Sequence, residues 1–221
     1  MRKIVSGKDF DENLIRRYWG RFKEYGATPE GSFWISKDRQ SLRFKVIFDE
    51  IDKLLKSDFV EVADVGCGYG ALVSYLKMSK SYGNISYTGY DINKKLIEEC
   101  RKITNEDWAV FKIGSKPERQ TMFTIMSGTY NLAATQNLSD WEDYVSDCLQ
   151  NCWERTSQAM IFNLQISDRA RISNENIYFA EKTSIIELCV SRFGSTKLIV
   201  HEGLPNDITF SVIKTTSSKG V

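Results

Sequence analysis

Three glycines follow a carboxylate at alternate positions in the segment Asp64-Val65-Gly66-Cys67-Gly68-Tyr69-Gly70. Glycine adopts left-handed backbone conformations and leaves room for a ligand beside the main chain, so this spacing is typical of a tight turn at a binding site. A second carboxylate, Asp91, closes the next apolar run, one strand–helix–strand unit downstream. An acid at that point can accept hydrogen bonds from both hydroxyls of a ribose. The pattern therefore predicts a site for a nucleotide-like ligand.

The residues around the glycines indicate which ligand of this kind fits. Gly66-x-Gly68-x-x-Ala71 also matches the dinucleotide fingerprint, which would indicate an NAD-dependent enzyme. That site places a diphosphate at the turn, where the carboxylate of Asp64 would repel it. S-adenosylmethionine (SAM) has no phosphate there and carries an ammonium and a sulfonium group, both of which a carboxylate attracts. Asp64 therefore favours SAM over NAD.

The segments that flank these residues alternate between strand and helix patterns. Five short apolar runs predict strands at 59–65, 85–90, 108–113, 123–126 and 159–164. Two more runs, at 197–201 and 208–213, flank a turn and predict a closing antiparallel pair. The order predicts an α/β, Rossmann-like three-layer sandwich whose mostly parallel seven-stranded sheet ends in an antiparallel hairpin. Ligands of such sheets bind beyond the carboxyl ends of the strands, where the glycine turn lies.

The N-terminal segment has a different pattern. Residues 11–25 and 37–55 have helical periodicity and predict two helices. We therefore expect a helical extension over 1–56 that acts as a lid, and one compact ligand-binding domain over 57–221.

Aromatic residues of the extension are candidates for the inner wall of this lid. Tyr18, Trp19 and Trp34 precede the predicted sheet, and aromatic faces attract cations such as a sulfonium. The competing interpretation is that these residues pack the first helix onto the sheet, since they recur at helical spacing.

Composition excludes several classes of protein. Lys and Arg total 30 against 29 Asp and Glu, so nucleic acid is disfavoured as a partner because it normally requires a basic surface. No run approaches eighteen apolar residues, which predicts no membrane span, and the start has no signal-peptide pattern. Five scattered cysteines predict free thiols and a cytoplasmic protein. With one histidine in the chain, we expect no metal site.

The glycine turn and the segment Tyr87-Thr88-Gly89-Tyr90-Asp91-Ile92 together resemble the class I SAM-dependent methyltransferase family. The resemblance implies that the turn lies against the methionine part of SAM and that Asp91 holds the ribose, with S-adenosylhomocysteine (SAH) as product. On this basis the predicted cofactor-binding residues are Asp64, Gly66, Cys67, Gly68, Gly70, Asp91, Ile92 and Ser127. The acid that the family often has after strand three is missing, so backbone groups near Ile113 or Ser115 are the candidates for adenine recognition.

Four further residues are candidates for roles in binding or catalysis. Arg43 is a candidate for the carboxylate of SAM, because guanidinium and carboxylate pair in a bidentate fork. Tyr130 and Asn131 follow strand four and are candidates for the substrate pocket, with Asn131 orienting a polar atom. His201 is a weak candidate for a general base. Methyl transfer depends mainly on holding a nucleophile in line with the methyl group, so no catalytic residue is assigned.

These observations predict a methyltransferase that acts on an unidentified, small-molecule acceptor. The sequence Ser127-Gly128-Thr129-Tyr130 lacks the Asn/Asp-Pro-Pro-aromatic pattern of DNA amino-methyltransferases, which disfavours a DNA base as acceptor. Two alternatives stay open: an aminopropyl-type transferase that uses a SAM-related ligand, and a non-catalytic SAM-binding subunit.

Overall fold

The computed structural model describes residues 7–34, 36–79 and 83–214. Its helices are α1 (Gly7–Tyr25), α2 (Lys37–Leu54), α3 (Ala71–Ser79), α4 (Lys94–Ile103), α5 (Leu138–Trp153) and α6 (Lys182–Arg192), with a short 3-10 turn at Glu30–Ser32. Its strands are β1 (Val60–Val65), β2 (Ile85–Asp91), β3 (Ala109–Ile113), β4 (Thr121–Met126), β5 (Thr156–Ser167), β6 (Arg171–Ile172), β7 (Tyr178–Glu181), β8 (Ser195–Val200) and β9 (Asp207–Ile213).

The main sheet has the predicted architecture. Its strand order is β3-β2-β1-β4-β5-β9-β8, in which the first five strands are parallel and β9 runs antiparallel between β5 and β8. The prediction of an α/β Rossmann-like sandwich that ends in an antiparallel hairpin is confirmed. Because β9 is antiparallel, its first residue, Asp207, lies at the same edge of the sheet as the carboxyl ends of the parallel strands and pairs with Gln165.

The sheet has nine strands rather than the predicted seven. The two extra strands, β6 and β7, form a small hairpin between β5 and α6, and β7 pairs in parallel with the last residues of β5. This hairpin also contacts the loop after β4, where Leu132 and Ile177 form an isolated bridge. The prediction missed it because the strands have only two and four residues, and β6 lies within a polar stretch, 165–176.

Helices cover both faces of the sheet. α1, α5 and α6 pack on one face and α2, α3 and α4 on the other. β1 shows how the sequence serves both layers, because Val60 and Val62 pack against the second set of helices while Ala63 and Val65 pack against the first. Asp64 lies near the end of this buried strand, at the edge of the sheet where ligands of such sheets bind.

The two N-terminal helices have different roles in packing. α2 is a core helix, because its apolar side, including Phe44, Ile47 and Ile51, is buried with β1 and β2. Ser36 caps it by accepting a hydrogen bond from the Arg39 amide. α1 buries Phe10 and Leu14 and leaves most of its surface polar.

The start of α5 differs from its sequence pattern. Ser139-x-x-Glu142 matches a capping box with Ser139 as the N-cap, but the N-cap is Asn137, two residues earlier, and the helix begins at Leu138. The Asn137 side chain accepts a hydrogen bond from the Asp140 amide, so this N-terminal amide has a partner without Ser139.

Candidate functional site

A cavity of about 330 Å³ lies at the carboxyl ends of β1, β2 and β4. Its floor is formed by the glycine turn after β1 and by the residues that follow β2 and β4. Its walls and roof come from α1, the 32–34 segment, the first turns of α2, and the β6–β7 hairpin. A volume of this size is typical of a small-molecule site. The position is the one that the sheet topology predicts.

Gly66 is required by its conformation and its surroundings. Its φ is +80°, in the left-handed region, and a Cβ there would lie 2.5 Å from Cγ2 of Thr129. The amides of Gly66 and Cys67 both donate to the carbonyl oxygen of Tyr90, at 2.7 and 3.0 Å. Thr129 in turn donates to the Val65 carbonyl. The glycine turn is therefore fastened to β2 and to the loop after β4 by close backbone contacts.

Gly68 and Gly70 serve the turn in different ways. Gly68, with φ +57°, lines the cavity and donates its amide to Oδ2 of Asp91 at 3.0 Å. Gly70, with φ +81°, is a predicted cofactor-binding residue that the structure places outside the lining of the cavity. A Cβ at Gly70 would meet Sγ of Cys100 and the Phe111 ring at 3.3 Å, so this glycine permits close packing beneath the turn.

Asp91 faces the cavity from the end of β2. Its two oxygens each accept one backbone hydrogen bond, from Asn93 at 2.8 Å and from Gly68 at 3.0 Å. Burial raises the pKa of Asp91 to about 6, against the opposing effect of those two amides. Each carboxylate oxygen can accept a second hydrogen bond, so the residue retains the capacity to bind two hydroxyls.

Asp64 lies deeper and is 3% exposed. The Tyr87 hydroxyl donates to its Oδ2 at 2.8 Å. Burial raises the pKa of Asp64 to about 7, an effect that the Tyr87 hydrogen bond opposes and the charge of Asp91 reinforces. Near neutral pH the carboxyl group is therefore only partly ionised, and its attraction for a cation depends on pH.

The residues after β3 line the side of the cavity next to β2. Gly114 and Ser115 are in its wall, as is Ile92, whereas Ile113 is 48% exposed and does not line it. Of the two positions predicted for adenine recognition, the structure brings Ser115 to the site and leaves Ile113 outside.

The loop after β4 contributes Ser127, Gly128, Tyr130 and Asn131 to the cavity. Ser127 Oγ is buried and has no hydrogen-bond partner among the described residues, and the same holds for Ser32 Oγ above it. Asn131 Oδ1 accepts the amide of Gln165 at 3.1 Å. That bond joins the loop to β5 and engages the side-chain oxygen of Asn131 within the protein. The role predicted for Asn131, to orient a polar atom of the acceptor, stays a prediction.

The N-terminal segment forms the roof with some, but not all, of the predicted residues. Tyr18, Trp34 and Arg43 line the cavity. Trp19 does not: it stacks on Phe22 with ring centroids 5.7 Å apart, and its other contact is with Lys95. Trp19 is therefore wrongly assigned to the inner wall of the lid.

A buried ion pair crosses from α2 to β9. Arg43 donates to Oδ2 of Asp207, and Asn163 donates to its Oδ1 at 2.9 Å. Asn163 also accepts the Gly128 amide at 2.7 Å, so the network reaches the loop after β4. The prediction paired Arg43 with the carboxylate of SAM, but the structure gives its guanidinium an internal partner. Burial raises the pKa of Asp207, and the charge of Arg43 lowers it.

His201 lies outside the cavity, at the turn that follows β8. Its Nδ1 accepts the Gly203 amide at 3.1 Å, so the imidazole supports a turn. The structure therefore does not bring His201, the weak candidate for a general base, to the cavity.

Sequence reasoning missed Arg39, Gln40, Phe179 and Asp207, all of which line the cavity. Gln40 accepts a hydrogen bond from the Tyr69 hydroxyl at 3.1 Å and connects α2 to the glycine turn. The spacing of Arg39 and Arg43, one helical turn apart, was the available signal for a basic face on α2.

Fold and site together define an α/β enzyme with a nucleotide-type cavity. Residues 63–156 match the family described as "Methyltransferase domain". Rv1506c of Mycobacterium tuberculosis, named as a methyltransferase, is 22% identical over 149 residues, which is 66% of this chain and 88% of that protein. A SAM-dependent methyltransferase of Leishmania major has a TM-score of 0.67 at 12% identity, over 90% of this chain and 82% of that one. Magnesium protoporphyrin IX methyltransferase of Synechocystis PCC 6803, solved with SAH, has a TM-score of 0.63 at 12% identity. The match covers 92% of this chain and 100% of that one.

The chain is thus similar to class I SAM-dependent methyltransferases in sequence over residues 63–156 and in fold, and these matches indicate SAM as its cofactor. The resemblance predicted from the two motifs is thereby confirmed. Neither alternative, the aminopropyl-type transferase or the non-catalytic subunit, gains support from the matches. Across the described ranges, no helix is long and apolar enough to cross a membrane, and no cluster of three His, Cys, Asp or Glu residues could hold a metal ion.

Proposed function

We propose that this protein transfers the methyl group of SAM to a small molecule that binds in the same cavity. The observation that carries the proposal is the joint position of Asp91 and the glycine turn in one cavity with two partnerless buried hydroxyls, Ser32 Oγ and Ser127 Oγ. Buried polar groups normally have hydrogen-bond partners, so those hydroxyls are best explained by a ligand.

The cavity residues fit the parts of SAM. Asp91 would accept the two ribose hydroxyls, because each of its oxygens has accepted only one amide. The turn with Gly66, Cys67 and Gly68 would lie against the methionine part, and Asp64 would attract its ammonium. The wall next to β3, formed by Ile92, Gly114 and Ser115, would enclose the adenine.

The chain contributes to the reaction by binding the two reactants, orienting them and excluding water. SAM supplies a methyl group on a positively charged sulfur, which a nucleophile can attack directly. Holding two reactants in line contributes a large part of the rate in such a reaction. α1, the 32–34 segment and the β6–β7 hairpin line the cavity above the floor and would exclude water around a bound acceptor.

Binding measurements test the cofactor assignment. Isothermal titration calorimetry should show SAM and SAH binding, with NAD at least tenfold weaker, because NAD places a diphosphate near Asp64. Equal or preferential binding of NAD would contradict the proposal.

Substitution of Asp91 tests its proposed role. Asp91→Ala should weaken SAH binding by about 1–3 kcal/mol, the cost of removing a charged acceptor from buried hydroxyls. The matched control is Glu187→Ala, an exposed acid on α6, which should leave the affinity unchanged. Circular dichroism checks that both variants fold. A folded Asp91→Ala protein with native affinity would place the ribose elsewhere.

A further inference from the structure

The two ends of the cavity carry opposite charges. Asp91 and Asp64 lie at the ends of β2 and β1, where the proposed cofactor site is. Arg39, Arg43 and Asp207 lie at the other end. In the sheet order, β9 is three strands beyond β1, which corresponds to roughly 14 Å at the usual strand spacing of ~4.8 Å. Asp207 is therefore on the far side of β4 from the ribose, and Arg43 reaches it from α2 over the loop after β4, where its Nη1 lies 3.0 Å from the position of a Cβ at Gly128.

Arg43 is only partly satisfied by its ion pair. Its Nη2 donates to Asp207, while its Nε is buried and has no hydrogen-bond partner in the described part of the chain. The residue is 7% exposed, and its guanidinium lies 4.4 Å from the centre of the Trp34 ring. A buried N–H of a guanidinium without an acceptor is costly, so Arg43 retains hydrogen-bonding capacity that the described residues do not use.

Arg39 lies one helical turn before Arg43 and also lines the cavity. The side chain is partly buried, yet none of residues 7–34, 36–79 or 83–214 forms a hydrogen bond or an ion pair with its guanidinium. Its charge lowers the pKa of both Arg43 and Asp207, which shows that the three groups share one region. Two cations face one carboxylate, and this end of the cavity has a net charge of one positive unit.

We propose that Arg39 and Arg43 bind a carboxylate group of the methyl acceptor, and that the acceptor is a small aromatic carboxylate. This inference rests on the proposed function. A monoanion matches the single unbalanced positive charge, and guanidinium groups recognise the planar carboxylate in a forked geometry. Trp34 and Phe179, which line the cavity from the 32–34 segment and from β7, provide flat apolar surfaces for a ring.

The position of the arginines favours the acceptor over SAM as the source of the carboxylate. The groups proposed for the adenine, the ribose and the ammonium of SAM lie on β2, after β3 and at the end of β1. The Arg43–Asp207 pair lies against β9 and is linked through Asn163 to Gly128 in the loop after β4. Because SAM also carries a carboxylate, the experiment must separate the two sources.

The first measurement is the affinity of SAH and of 5′-methylthioadenosine, which lacks the amino-acid part, for the native protein and for Arg39→Gln. We expect the substitution to change both dissociation constants less than twofold. A tenfold loss for SAH with no loss for methylthioadenosine would assign Arg39 to the carboxylate of SAM and overturn the inference. If the native protein binds neither compound, the proposed function fails.

The second measurement compares benzoate with its neutral isostere benzamide, by NMR titration of the protein with and without SAH. We expect benzoate to bind at least tenfold more tightly, and Arg39→Gln to abolish the difference while Arg39→Lys retains most of it. Lys37→Gln, which removes an exposed charge from the same helix turn, is the matched control and should keep the preference. Equal binding of the two probes, or failure of benzoate to bind, would overturn the subsite. Because benzoate is titrated without SAH as well, this result does not depend on cofactor binding.

Discussion

The cofactor end and the acceptor end of the cavity are held in different ways. At the cofactor end, backbone amides make the connections: Gly66 and Cys67 donate to the Tyr90 carbonyl, and Gly68 donates to Asp91. At the acceptor end, side chains make them, through the chain of bonds from Arg43 to Asp207 and Asn163. Where backbone amides make the contacts, many side chains can be substituted, but a glycine in a left-handed conformation cannot. Where side chains make the contacts, the substitution of any one of them breaks the network.

Breaking the ion pair should have the largest effect on stability. Arg43→Met leaves the buried carboxylate of Asp207 without its cation, and we expect the free energy of unfolding to fall by about 3–5 kcal/mol in urea denaturation. The double variant Arg43→Met/Asp207→Asn should recover much of the loss, because no uncompensated charge remains.

An exposed ion pair provides the control for this prediction. Lys45 and Asp49 pair on the surface of the same helix, and Lys45→Met should cost no more than about 0.5 kcal/mol. A loss below about 1 kcal/mol for Arg43→Met would mean that side-chain bonds do not hold the acceptor end together.

The difference between the two ends also explains what could be predicted from the sequence. The cofactor end consists of two contiguous motifs, and a left-handed glycine or an acid at the end of a strand is recognisable locally. The acceptor end brings together α2, β5, β7 and β9, so Arg39, Phe179 and Asp207 had no local signal that connected them. Trp19 shows the limit of periodicity, because the pattern that placed it on α1 does not indicate which side of the helix faces the cavity.

A side chain at Gly66 should have the next largest effect. Gly66→Ala forces a left-handed conformation, at about 1–2 kcal/mol, and a collision with Thr129, so we expect a total loss of about 3 kcal/mol together with loss of SAH binding. Gly20→Ala is the control, because it lies within α1 with nothing within 4 Å of the added Cβ and should be neutral or stabilising. Similar melting curves for the two variants would contradict the conclusion that backbone contacts hold the cofactor end together.

The carboxyl group of Asp64 should make stability depend on pH. Its pKa is about 7 in the folded protein and ordinary in the unfolded chain, so the folded state binds the proton more tightly and loses stability as pH rises between about 4 and 7. Between pH 5 and pH 8 we expect a decrease of about 2 kcal/mol, with a smaller contribution of the same sign from Asp91. Asp64→Asn should flatten most of this dependence in denaturation curves.

The same ionisation should strengthen SAH binding. Because an ionised Asp64 attracts the ammonium group, SAH affinity should increase from pH 6 to pH 8 in the native protein. The increase should be smaller in Asp64→Asn, where Asp91 still ionises at the lower end of this range. An increase of the same size in the variant would show that Asp64 is not responsible.

Two tryptophans of the N-terminal segment provide the smallest and most selective comparison. Trp34 lines the cavity and packs on Arg43, whereas Trp19 stacks on Phe22 outside it. Trp34→Ala removes a cation–π contact and part of the roof, so we expect SAH or benzoate binding to weaken by about 0.5–2 kcal/mol. Trp19→Ala should leave both affinities unchanged. Removing residues 1–35 altogether is less informative, because α1 buries Phe10 and Leu14 against the core. Equal effects of the two substitutions on ligand binding would mean that both residues influence the cavity only through the packing of α1. Trp34 would then make no direct contact with a ligand at the acceptor end.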